Sequence, residues 1–218
     1  MRILVINPNS TESMTHKIAD SARRVACAGV EIVARTSRCG PASIQGEEDG
    51  RRALPGVLEL VRESADENID AIVIACFDDT GLNEAREIAH CLVVGIGEAA
   101  FHAAMLIGCH YSVVTTLSVS VPVIKANLQD YGLASHCLRV RASEVAVLDL
   151  EKAGSAAEQK ISAEIALALA EDKAEAIVLG CAGMTTLAAR MSTTHGIPVI
   201  DGVAAATGMA CALVGMDF

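Results

Sequence analysis

Seven short, β-branched runs punctuate the chain: ILVIN (3–7), VEIVAR (30–35), AIVIAC (71–76), CLVVGI (91–96), YSVVTT (111–116), AIVLGC (176–181) and IPVID (197–201). Longer stretches of helical character separate most of them. TESMTHKIADSARRVA opens on Thr11 as a cap, and RRALPGVLELVRESADE carries apolar residues at Leu54, Leu58 and Val61. SAAEQKISAEIALALAEDK is the clearest amphipathic segment. Strands that are apolar on both faces must be covered on both, and alternation with helices supplies that cover for a parallel sheet. The class is α/β. Hydrophobic residues make up 52% of the chain and aromatics only 2%, with no Trp, so Ala, Val, Ile and Leu must fill the core.

The chain also repeats itself. Setting Asp70 on Glu175 matches Ala71, Ile72, Val73, Cys76, Thr80 and Leu82 with identical residues at 176, 177, 178, 181, 185 and 187. VVGIGEAA (93–100) then resembles VIDGVAAA (199–206), with the register shifted by one. Each half reads as strand, cysteine turn, helix, strand, glycine turn and Ala-rich helix. Two similar Rossmann-like lobes with parallel sheets, related by a pseudo-two-fold, would face each other across a cleft lined by the carboxyl ends of their strands. No polar linker marks a simple cut, so the expected lobes are discontinuous: about 1–95 plus 203–218, and about 96–202.

A net charge of −10 with scattered Arg and Lys leaves no footprint for nucleic acid or an anionic membrane. The first residues enter a strand directly and no apolar run approaches a spanning helix, so a soluble cytoplasmic protein is expected. The apolar content points to a homo-oligomer. The eight cysteines (27, 39, 76, 91, 109, 137, 181 and 211) form no Cys-x-x-Cys pair and the six histidines show no ligand spacing, so reduced thiols and no metal site are expected. Gly95-Ile96-Gly97 does not extend to a dinucleotide fingerprint, and Glu98 would stand where a diphosphate must approach.

A lone cysteine at a strand end is more often a small buried apolar residue than a reagent. The repetition of the whole strand-cysteine-turn unit at Cys76 and Cys181 reverses that preference, although duplication can also copy a packing residue. A thiol between a buried strand and a turn into a helix is expected to have its pKa lowered by the amides and the helix end. Both turns could also aim N–H groups at a developing enolate oxygen. Two such thiols facing each other could take a proton from one face of a carbon acid and return one to the other. A single-thiol covalent mechanism has no sequence-adjacent His base. A small-molecule binding protein with two lobes around a cleft stays open at this point.

INPNST at the first strand end, GPASIQG (40–46), ACFDDTGL (75–82), VVGIGEAAF (93–101), SVVTTL (112–117), LGCAGM (179–184) and PVIDGVAAA (198–206) together resemble the hydantoin racemase branch of the aspartate/glutamate/hydantoin racemase family. The resemblance spans nearly the whole chain. It implies two Rossmann-like lobes, no cofactor, and two-base racemisation with Cys76 and Cys181 as the acid/base pair. It further implies 5-substituted hydantoins, or the ureido-hydantoin allantoin, as substrates. Amino-acid racemases of the wider family usually carry Asn-Thr after the first cysteine and Thr-His after the second; here Phe77-Asp78 and Ala182-Gly183 stand instead, which fits a neutral ring. Arylmalonate decarboxylases look similar but retain only the second cysteine. Gln45 departs from the Ser-Ile-Glu-Gly of relatives, and the sequence assigns it no role.

The same comparison makes Asn9 a ligand for the ring, against the plain turn chemistry of Asn-Pro-Asn. It places Ser43 and Ile44 on a loop over the substrate. Thr115 and Thr116 could donate hydroxyls into the cleft or cap a helix. Phe77 could wall the pocket or belong to the core. With Asp78, Ala182 and Gly183 these residues complete the expected binding set.

Overall fold

The computed structural model describes residues 1–108, 110–152 and 156–216. Cys109, the Ser155 end of the amphipathic segment and the last two residues of the expected first-lobe tail lie outside them. Two four-stranded parallel sheets have the same topology. The first, in the order β2-β1-β3-β4, is built from β1 (Arg2–Asn7), β2 (Glu31–Thr36), β3 (Ala71–Ile74) and β4 (Leu92–Gly95). The second, in the order β6-β5-β7-β8, is built from β5 (Tyr111–Thr115), β6 (Cys137–Ala142), β7 (Ala176–Gly180) and β8 (Val199–Asp201). The β1–β3 register pairs Ile3 with Ala71, and the β5–β7 register pairs Tyr111 with Ala176.

The period of two along each central strand sorts its side chains into two cores. Ile3, Val5, Ala71 and Val73 point with Val113 and Val178 of the second sheet into one shared core, whereas Leu4, Ile6, Ile72 and Ile74 meet α2 (Glu47–Glu63) and α3 (Leu82–Ile88) on the outside. Likewise Val114, Ile177 and Leu179 face α6 (Ala157–Leu167) and α7 (Ala188–His195). The shared core also takes residues of α1 (Glu12–Val25), α4 (Ile96–Gly108), α5 (Val121–Asp130) and α8 (Gly202–Val214). Four of the five Phe and Tyr residues gather there around Phe101, whose ring lies 5.3 Å from Phe77, 6.2 Å from Tyr111 and 6.4 Å from Tyr131.

The strand β6 is absent from the seven apolar runs because Arg139 and Arg141 interrupt it. Leu138 and Arg139 are exposed, and Arg141 turns to Asp172, Glu171 and Glu164 at 2.6, 2.6 and 3.0 Å. One-sided burial needs no continuous apolar run.

Helices α4 and α8 cross between the sheets. α4 follows β4 of the first sheet yet packs on β7 and β8, while α8 follows β8 and packs on β3 and β4. They meet near their N-termini, where a Cβ on Gly202 would stand 2.7 Å from the Ile96 carbonyl oxygen. Among the described residues no helix is long and apolar enough to cross a membrane.

Gly202→Ala must push α4 and α8 apart, which overpacking places at about 1–3 kcal/mol. Thermal melting should register a fall of roughly 3–10 °C; an unchanged melting point would show that this approach has slack.

Candidate active site

Parallel strands end together, so the carboxyl ends of β1, β3, β5 and β7 bring Asn9, Cys76, Thr116 and Cys181 to one place. Each sheet contributes its switch point, where the strand order reverses, and the two switch points face each other. Between them lies a cavity of about 30 Å³, the room of one or two waters. Of the residues singled out in the sequence, Asn9, Ile44, Cys76, Phe77, Asp78, Thr116, Cys181 and Ala182 line it.

Ser43, Thr115 and Gly183 stand behind the wall. Ser43 is buried in its loop. Thr115 donates its hydroxyl to the Gly180 carbonyl at 2.8 Å, tying β5 to β7. Gly183 turns its N–H to the Cys181 sulfur. Phe77 borders the cavity, but its ring stands edge-on to Phe101 in the core.

Asn9 divides its work. Its Oδ1 accepts the Thr11 N–H at 2.9 Å and the Asn7 side-chain N–H at 3.0 Å, which is turn chemistry, while its Nδ2 faces the Met14 sulfur at 3.4 Å. Met14, Ser120 and Val147 also line the cavity and were not singled out from the sequence. Met14 shares the apolar face of α1 with Ile18 and Ala22, and its place at the first turn points to the strand ends. Ser120 precedes Val121-Pro122, a helix-start signal that puts a small hydroxyl beside the strand ends. No local signal marks Val147.

Both cysteine turns are fastened to a helix N-terminus by a carboxylate. Asp79 Oδ1 accepts the Gly97 N–H at 2.9 Å, and its Oδ2 accepts from Glu98 N–H at 2.7 Å and the Tyr131 hydroxyl at 2.9 Å. In the second lobe Asp201 Oδ1 accepts the Val203 N–H at 2.9 Å, while its Oδ2 accepts the hydroxyls of Ser21 and Thr185. The repeated threonines have parted company: Thr185 holds Asp201, whereas Thr80 offers its hydroxyl to the Cys76 sulfur at 3.5 Å.

The expectation of lowered thiol pKa values is corrected by burial. Desolvation pushes Cys76 upward, the charge of Asp78 adds to it, and the Thr80 hydroxyl and Asp78 amide only partly oppose. Cys181 is pushed up to about 12 by burial, against the Gly183 and Met184 amides, with Asp78 and Glu151 raising it further. The helix end is too far to help Cys76, since α3 begins only at Leu82. Those turn amides are engaged on sulfur, and Asn9, Thr116 and Ser120 are the neutral side chains along the wall that carry donors.

Two loops close the cavity. Val147 donates its N–H to Gln45 Oε1 at 3.3 Å, and Glu151 accepts from Ser13 at 2.7 Å and Lys17 at 2.8 Å. Gln45 thus bridges the lobes, a role the sequence did not reveal. The seven cysteines among the described residues are free thiols. Among the same residues no cluster of three or more His, Cys, Asp or Glu could hold a metal.

Residues 3–210 match the family of Asp/Glu/hydantoin racemases. The chain belongs to this family. It is therefore an isomerase, a racemase acting on a small molecule. It is 48% identical over 218 residues to a hydantoin racemase of Rhizobium meliloti, covering 100% of this chain and 90% of the relative. It is 41% identical to a hydantoin racemase of a Pseudomonas species, covering 98% and 86%. Among solved structures, an allantoin racemase from Klebsiella pneumoniae superposes with a TM-score of 0.98 at 43% identity, covering 100% of this racemase and 89% of that chain.

Burial raises the Asp78 carboxyl of this racemase to about 7, well above the carboxylate range of an unfolded chain. Between those two values the folded state binds more protons than the unfolded state, so this contribution to stability is whole at low pH and lost as pH rises through 7. Asp78→Asn should therefore raise the melting point by roughly 2–4 °C at pH 8, with the gain fading towards pH 4. An equal gain at both pH values would contradict the burial argument.

Proposed function

We propose that this racemase inverts 5-substituted hydantoins, the ureido-substituted ring of allantoin among them, by two-base proton transfer at ring carbon 5. The observation that carries the reading is the placement of Cys76 and Cys181 at equivalent strand ends on one small cavity. The names of the similar hydantoin and allantoin racemases support the substrate class. A wall of neutral donors, with no Lys or Arg among its residues, suits a neutral ring better than a zwitterion.

One sulfur, as thiolate, takes the C5 proton; the electron pair moves into the adjacent carbonyl, whose oxygen gains negative charge. Thr116, Ser120 and the Asn9 amide are the donors that hold that oxygen. The opposite thiol then gives its proton to the other face, and the thiolate has changed sides. Proton exchange with solvent then returns the pair to its starting form for another molecule of the same hand.

Cys76→Ala and Cys181→Ala should each abolish loss of optical rotation, a fall of at least about a thousandfold. In deuterated solvent each variant should still exchange the C5 proton of one enantiomer with retention, and the two variants should act on opposite enantiomers. Racemisation at the wild-type rate by either variant would end the two-base assignment.

Because both thiols are held protonated by burial, thiolate is scarce near neutrality. Acidic and neutral solutions therefore starve the reaction of base. The racemisation rate should climb steadily from pH 7 to pH 9; a plateau beginning below pH 7 would contradict the raised thiols.

A further inference from the structure

Among the residues lining the cavity only Cys76, Cys181 and Asp78 carry titratable groups. The proton transfer uses the two thiols and leaves the carboxylate without a task. Asp78 Oδ2 is fully buried and has no hydrogen-bond partner. The Gly46 amide faces the carboxylate, and the Asp78 carbonyl accepts from Asn127 at 2.9 Å, so the loop itself is well held. On its outer side Asp78 borders an open groove with Glu47, Arg51 and Glu84. Asp78 lines the cavity as well as the groove, and its Oδ2 is left without a partner. A buried acceptor left unsatisfied is costly, and a ligand N–H removes that cost on binding.

We propose that Asp78 is the specificity-determining residue of the site: its unpartnered Oδ2 accepts a hydrogen bond from a ring N–H of the substrate. The proposal rests on the hydantoin reading and deepens it. Hydantoins carry two such N–H groups, one beside C5 and one between the carbonyls. With Thr116 and Ser120 offering hydroxyls and Asp78 an acceptor, the wall is complementary to a ring that alternates carbonyl and N–H. A carboxylate ligand meets Asp78 with no cation among the lining residues, so amino acids are refused by the same group. Rejection of an analogue that cannot fill a buried polar partner is stronger than rejection by shape alone.

The test uses the purified full chain as wild type, Asp78→Ala and Asp78→Asn, with optically pure 5-methylhydantoin and its N1-methyl and N3-methyl derivatives. Chiral chromatography follows kcat and KM, and thermal melting checks that each variant is folded. For the wild type, one of the two N-methyl derivatives should fall roughly ten- to hundredfold in kcat/KM against the parent. In Asp78→Ala the parent should lose a similar factor, chiefly through KM, and its preference over that derivative should shrink to a few-fold. Asp78→Asn keeps the size of the side chain; the Gly46 amide claims its oxygen and turns the NH2 to the cavity, so the same loss of preference is expected.

A preference undiminished in both variants would overturn the assignment. So would an equal fall in kcat for all three substrates at constant KM, which would mark Asp78 as a partner in proton transfer. Failure of the wild type to racemise the parent hydantoin is a different result, and it defeats the substrate reading together with this one.

Discussion

The meeting of α4 and α8 at Gly202 and Ile96 is the contact on which the rest of the structure hangs. Each helix leaves the sheet that made it and packs on the other, so neither sheet buries its inner face without its counterpart. That exchange turns the carboxyl ends of β3 and β7 towards each other. Asp79 and Asp201 then carry the constraint outward, each tying a cysteine turn to the N-terminus of one of the exchanged helices. Phe101, on α4, adds the aromatic centre that locks the Cys76 turn through Phe77.

Much of this was legible in the chain because the central strands are buried on both faces. Continuous apolar runs announce such strands, and the matched cysteines, Ala-Ile-Val triplets and glycine turns announced two copies of one unit. The edge strand β6 was not legible, since Arg139 and Arg141 interrupt the apolar signal that burial on both faces would demand. Thr115 could not be told from Thr116 by local sequence: adjacent positions at a strand end differ in which side they face, and only the pairing with Gly180 decides it. Gln45 was silent for another reason. Its partner, Val147, is a hundred residues away, and no local pattern encodes an amide bridge between two loops.

The thiols carry a second lesson about competing effects. Amides on a turn favour a thiolate, and the sequence shows the turns. Burial disfavours it more, and the depth of a site is set by the whole fold. Two amides at Cys181 and one amide with a hydroxyl at Cys76 do not offset the loss of water, with the Asp78 carboxylate nearby. The resting site is therefore neutral at sulfur, which under the proposed two-base transfer keeps a proton ready to give whichever hand of substrate arrives.

The halves are alike in backbone and unlike in chemistry: Thr80 and Asp78 attend Cys76, while Gly183 and Met184 attend Cys181. For a reaction whose product is the mirror image of its substrate, equilibrium lies at an even mixture, and no arrangement of side chains can shift it. The two directions must then have equal kcat/KM. Whatever imbalance Asp78 creates between the thiols can surface only as paired changes, one hand binding more tightly and turning over more slowly by the same factor. Under the proposed reaction, the asymmetry of the two cysteine turns is thus free to choose a ring without ever choosing a handedness.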